Sequence, residues 1–148
     1  MTDIRFYHLQ KTPQAMALPQ IAYKAWQAGG KVVVRAGSES ERDALNDAMW
    51  TFKADVFLPH GTVEDGYAAS QPVWVTCSDD NPNGARTLIV STGCAAPAPD
   101  GYELCCVFID GHDPAQVDGT RAVWKNFKEA GHTLSYWQQG EQGWEKKA

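Results

Sequence analysis

Arg121, Trp124 and Lys128 put two cations and one indole within about two helical turns of one another. Cations beside a flat aromatic can pair with carboxylates and shelter an apolar group, so the chemistry they suit is recognition of something acidic and greasy. They lie in Asp113 to Gly131, DPAQVDGTRAVWKNFKEAG, which reads as one helix. Asp113 can cap it, Pro114 fits the first helical position, Gln116 sits where a capping-box partner would, and Gly131 suits a left-handed terminal residue. At about 100° per residue, Gly119, Thr120, Val123, Phe127 and Ala130 form a small, apolar face for packing. Val117, Arg121, Trp124 and Lys128 fall on an adjoining stripe. The competing reading is a solvated face that carries a stray Trp.

Other reactive residue types are not arranged for catalysis. The chain contains neither GxxxxGK[ST] nor a GxGxxG after a strand. The turn Gly37 to Ser40 could hold an anion at a helix start, but Glu39 and Glu41 would repel it. His8, His60, His112 and His132 are scattered, as are Cys77, Cys94, Cys105 and Cys106, so neither zinc spacing nor a CxxC pair is present. Buried, reduced thiols are the expectation. No GxSxG elbow marks a nucleophile. No cofactor and no metal are expected.

At 148 residues with 43% hydrophobic content, the chain suits one domain with a real core. A net charge of −5 argues against a surface that neutralises many phosphates, so any basic site must be local. No apolar run reaches the ~20 residues of a membrane span, and MTDIRFYHLQ lacks the build of a signal peptide. A cytoplasmic protein is the expectation.

The elements that must position the basic stripe follow from periodicity. Asp3 to Leu9 alternates as a strand, Met16 to Ala28 has helical spacing before Gly29-Gly30, and Lys31 to Ala36 is a β-branched run of the kind buried in a parallel sheet. Ser38 to Glu41 is a capping box that opens a helix ending near Trp50. Pro72 to Cys77, Thr87 to Ser91 and Leu104 to Ile109 are further strands, separated by a turn at 79–84 and a loop at 93–101. Thr133 to Gln138 reads as a last, edge strand. Residues 139–148 form a polar tail around Trp144, expected to be only partly ordered. The strand-helix rhythm makes this an α/β protein with a mostly parallel central sheet and helices on both faces.

Asn46 to Gly61, NDAMWTFKADVFLPHG, gathers Trp50, Phe52, Phe57 and Leu58 around a chain reversal, where they could plug a core or form a surface. Taken in order, RFYHL at Arg5 to Leu9, LNDAMW at Leu45 to Trp50, FLPHG at Phe57 to Gly61 and R-x-x-W-K-x-F-K-x-x-G at Arg121 to Gly131 resemble the chi subunit family of bacterial DNA polymerase III. The likeness runs from Ile4 to about Trp137. Each motif is weak alone, and their order carries the match. YWQQGEQGWEKK resembles an extension in one branch of that family.

The resemblance implies a three-layer α/β/α sandwich that looks like a nucleotide-binding fold without its phosphate loop. It also implies a non-enzymatic accessory subunit that joins the clamp-loader complex, through a small psi subunit, to the acidic C-terminal tail of single-stranded-DNA-binding protein. Carried over to this sequence, Arg121 would pair with the tail's terminal carboxylate. Trp124, where the family commonly has Tyr, would wall the pocket for the terminal aromatic ring. Lys125 and Lys128 would attract upstream aspartates, Gly131 would let the chain pass closely, and Trp50 would complete the pocket. Phe57, Pro59 and His60 match the segment that meets psi or a competing partner.

Two departures stand out. Val117 occupies a position where some relatives carry a cation, and Phe127-Lys128 replaces a commoner Tyr-Arg. Lys cannot form the two-pronged bond of Arg, so Lys128 is not given the carboxylate role. The rival readings are a degenerate small α/β nucleotide-binding protein or enzyme, and direct binding of single-stranded DNA, which the aromatics suit and the net charge does not.

Overall fold

A computed structural model describes residues 2–52, 57–94, 99–141 and 143–148. Seven strands form one sheet in the order β3-β2-β4-β5-β1-β6-β7. The strands are β1 (Asp3–Leu9), β2 (Val32–Arg35), β3 (Val73–Thr76), β4 (Thr87–Val90), β5 (Leu104–Asp110), β6 (Thr133–Gly140) and β7 (Gly143–Lys146). All neighbours pair in parallel except β6 and β7. The helices are α1 (Gln14–Gln27), α2 (Glu39–Thr51) and α3 (Pro114–Glu129). This is the expected α/β sandwich.

Strand order explains which face each helix covers. The connections β1-α1-β2 and β2-α2-β3 run toward the β3 edge, whereas β5-α3-β6 runs the other way. Right-handed crossovers then place α1 and α2 on one face and α3 alone on the other. Two cores follow from the pleat. Tyr7 and Leu9 of β1 join Leu18, Leu45, Met49 and Leu58 under α1 and α2. Ile4 and Phe6, one residue out of step, join the second core with Leu88, Val90, Cys105 and Ile109, against which Val117, Val123, Trp124 and Phe127 of α3 pack.

Helix ends obey their local chemistry. Ser38 Oγ accepts from Glu41 N at 3.1 Å, but the Glu41 carboxylate returns to Gly37 N at 2.8 Å, one residue outside a capping box. Asp113 caps Ala115 N at 3.0 Å, and Gly131 has φ +90. Gln116 does not close a capping box either. Its Oε1 takes Asp110 N at 3.0 Å and so ties α3 to the end of β5.

Several expectations need correcting. α1 starts at Gln14, because the carbonyl of Pro13 accepts Met16 N at 3.0 Å and Ala17 N at 3.2 Å, and this exposed first turn has no apolar period to reveal it. β6 is not an edge strand, and residues 139–148 are not a loose tail. β6 continues to Gly140 and β7 returns antiparallel along it, with Trp144 edge-on to Tyr7 at a 4.9 Å centroid separation. Gly119 and Ala130 are exposed, whereas Val117 and Trp124 pack on the core, so the two stripes expected on α3 merge into one half-buried face. Cys105 and Cys106 are buried, and burial pushes both thiols up, that of Cys106 to about 12. Cys77 is exposed and Cys94 half-buried, so the expectation of buried thiols holds for one pair. The loop expected at 93–101 lies partly outside the described residues.

Candidate functional site

The open side of α3 is where the basic stripe meets a cavity. Val117, Thr120, Arg121 and Trp124 form one wall, and His8 of β1 with Tyr136 and Gln138 of β6 form the other, around about 430 Å³. Ala148 closes one end. That volume suits a small ligand or a peptide terminus.

The floor is aromatic and firmly held. The Trp124 ring lies 5.4 Å from that of Phe6, tilted 45°, and 6.4 Å from Tyr136, nearly edge-on at 64°. Parallel pairing of β1 with β6 places Phe6 beside Tyr136 and His8 beside Gln138, which is why these residues meet. His8 Nδ1 and the Tyr136 hydroxyl are 2.6 Å apart. Burial first, and then the nearby His112, lowers the His8 pKa below its ordinary 6.5, against the opposing pull of Asp110.

Arg121 is exposed at the rim and makes no ion pair or side-chain hydrogen bond among the described residues. Lys125 and Lys128 are also exposed and unpaired there. At about 100° per residue they project within about 40° of Arg121, so α3 carries one cationic ridge beside an apolar floor. They extend the ridge and do not line the cavity, and neither does the exposed Gly131.

Trp50 is not brought to this pocket. It ends α2, on the opposite face of the sheet, where its ring lies 4.6 Å from His60 and 5.8 Å from Phe57. His60 is buried, its ring nitrogens 2.6 Å from Leu58 O and 3.1 Å from Asn46 O, so it fastens the Phe57 loop to α2. Pro59 is half-buried. Trp50 and Phe57, 55% and 64% exposed, make a second aromatic surface far from the cationic ridge.

The crevice beyond the carboxyl ends of the strands, where open α/β sheets take ligands, keeps a cavity of about 380 Å³ lined by Leu9, Gln14, Thr92, Asp110 and His112, while its α2 side is occupied by the protein's own Glu41. The Glu41 carboxylate accepts Gly37 N at 2.8 Å, the Ser91 hydroxyl, and Gln14 Nε2 at 3.3 Å. Gln14 Oε1 accepts Thr92 N at 2.6 Å. A fixed negative charge thus sits where a phosphate would need donors.

Sequence reasoning missed His8, Tyr136, Gln138 and Thr120 as pocket residues. The alternation of Leu134 and Tyr136 in TLSYWQ puts them on one face, but only strand order shows that this face meets α3.

The family model for the DNA polymerase III chi subunit, HolC, matches residues 1–135. A Rickettsia prowazekii protein named "Probable DNA polymerase III subunit chi" is 28% identical over 61% of this chain and 54% of its own length, so the chain spans about half of that relative. The DNA polymerase III subunit chi of Pseudomonas aeruginosa is 25% identical over 90% of this chain and 94% of its own. That of Escherichia coli is 25% identical over 49% of each.

Proposed function

The chain belongs to the DNA polymerase III chi subunit family, and from that premise we propose that its α3 pocket holds the acidic C-terminal tail of single-stranded-DNA-binding protein for the replicase. An accessory role in DNA replication comes with the family; the tail, the site and the absence of catalysis are this reading's own.

One observation carries it: the guanidinium of Arg121, unpaired among the described residues, at the mouth of a cavity lined by Val117, Trp124 and Tyr136. A terminal carboxylate can meet the guanidinium while the adjoining apolar side chain rests on the indole, which satisfies both halves of the pocket. Lys125 and Lys128 lie where upstream acidic residues would pass, and attraction over that distance is sensitive to salt. Gly131 leaves the end of the ridge without a side chain. The Glu41 carboxylate, which takes the Gly37 N–H at the start of α2, disfavours the nucleotide-binding alternative.

The test is binding of a short synthetic peptide, acidic and ending in phenylalanine with a free carboxylate, measured by fluorescence anisotropy. Arg121→Ala should weaken binding about tenfold or more, the cost of a shielded charge-assisted bond. Lys24→Ala, on α1 and exposed, should leave it unchanged. Equal affinity in all three proteins removes the assignment.

The Trp50–Phe57 surface fits a second partner, the psi subunit of the clamp loader, with Phe57 as anchor and His60 and Pro59 as its support. An exposed aromatic on a fastened loop has the character of an interface hot spot. Phe57→Ala should abolish co-purification of a psi-like protein from the source cell while leaving peptide binding intact.

A further inference from the structure

The last strand, β7, lies beyond the residues that the family model matches. It is nevertheless built into the sheet. Trp144 packs edge-on against Tyr7, and Gln139 Oε1, just before the turn, accepts the backbone N–H groups of Gln10, Lys11 and Thr12 at 2.9, 2.7 and 3.2 Å. Beyond β7, the N–H groups of Lys147 and Ala148 both point at Tyr136 O, at 2.8 and 3.4 Å. Two residues facing one is the pattern of a β-bulge, a device that re-aims side chains at a sheet edge.

Alternation along the strand decides where its charges lie. Trp144 is on the Tyr7 face, so Glu145 and Lys147 are on the α3 face, beside Gln138 and Tyr136 of the pocket wall. Their ion pair at 3.2 Å agrees, since residues two apart share a face. Both side chains are about half exposed, 49% for Lys147 and 55% for Glu145, and such a pair is weak enough to exchange partners.

We infer that the β6–β7 hairpin extends the second wall of the peptide site through Ala148 and that the adjoining Lys147 is a cation of that site, so the groove takes an extended acidic peptide between α3 and the hairpin. The inference rests on the reading of the α3 pocket given above. Charge identifies the occupant: in a chain of net charge −5, Arg121 lines one side of the cavity with Lys125 and Lys128 further along its helix, and Ala148 on the other side adjoins Lys147, whose pairing with Glu145 a bound carboxylate can replace. Acidic side chains upstream of a terminal carboxylate held by Arg121 then have a positive neighbour on each flank.

The experiment uses the same acidic, phenylalanine-ended peptide with the full chain, Lys147→Glu, a variant lacking residues 143–148, and Arg121→Ala, each at low and high salt. Lys147→Glu should weaken binding about fivefold and flatten its salt dependence, and removal of the strand should weaken it at least as much. If Arg121→Ala loses affinity while Lys147→Glu and the shortened chain bind as the parent does, the role of β7 is overturned and the pocket stands. Tighter binding by the shortened chain also overturns it, because β7 would then be a competitor for the groove. Unchanged binding by Arg121→Ala removes the pocket and β7's role together. Should the shortened chain fail to fold, Lys147→Glu alone decides.

Discussion

The indole of Trp124 rests against the ring of Phe6, with centroids 5.4 Å apart and planes tilted 45°. A residue at the floor of the candidate pocket is therefore also a tie between α3 and the sheet. Trp124→Ala should lower stability by about 2 kcal/mol, less than the loss for a fully buried ring because the side chain is half-buried. The melting temperature should fall by about 4–8 °C. Trp124→Phe should recover most of the stability and part of the peptide binding, which calorimetry and anisotropy on the same samples can separate.

Arg121 offers the opposite profile. It is exposed and unpaired among the described residues, so Arg121→Ala should leave the unfolding free energy from urea titration within about 0.5 kcal/mol of the parent. A large drop in stability would mean that the guanidinium is structural.

His8 gives the pocket a pH response. Its folded pKa is lowered, by burial and by His112, so the unfolded chain takes up the proton first. Stability should be level above the unfolded value near 6.5, fall as pH drops through the window between that value and the lower folded one, and level again below it. A charged His8 also favours an acidic ligand. Peptide affinity should therefore rise on acidification through the same window, and His8→Gln should flatten both curves. Melts and anisotropy between pH 7.5 and about 5 check the signs.

Gly37 marks how tightly the turns after β2 and β4 pack on each other. A Cβ there would stand 2.1 Å from the carbonyl oxygen of Gly93, a backbone atom that cannot swing aside. Gly37→Ala should cost about 1–3 kcal/mol through forced displacement of the Ser91–Gly93 turn. Gly119→Ala, in α3 with nothing within 4 Å of the added carbon, should instead stabilise the helix by about 0.5–1 kcal/mol. Matched denaturant titrations of the two variants would show opposite shifts.

Legibility followed the kind of force at work. Local forces write themselves along the chain, so the Asp113 cap, the Gly131 terminus and the apolar strands were readable from residue types. The layered fold followed from alternation of elements and crossover handedness. The Arg121–Trp124 pairing was readable because one helix carries both. His8 and Tyr136 were not, since parallel register between distant segments has no signature in either segment. Trp50 was misplaced for the same reason: whether α2 and α3 share a face depends on the direction each connection takes across the sheet. β7 escaped because an exposed edge strand holds mostly polar residues, and the contact of Trp144 with Tyr7 spans nearly the whole chain.

Helices α1 and α2 each bury several residues, whereas none of α3 is buried. The helix that carries the cationic ridge is thus the one least anchored to the interior. In the proposed peptide site, small excursions of residues 114–129 would widen or narrow the groove while the sheet stays still, and would favour quick release of the peptide as much as its capture.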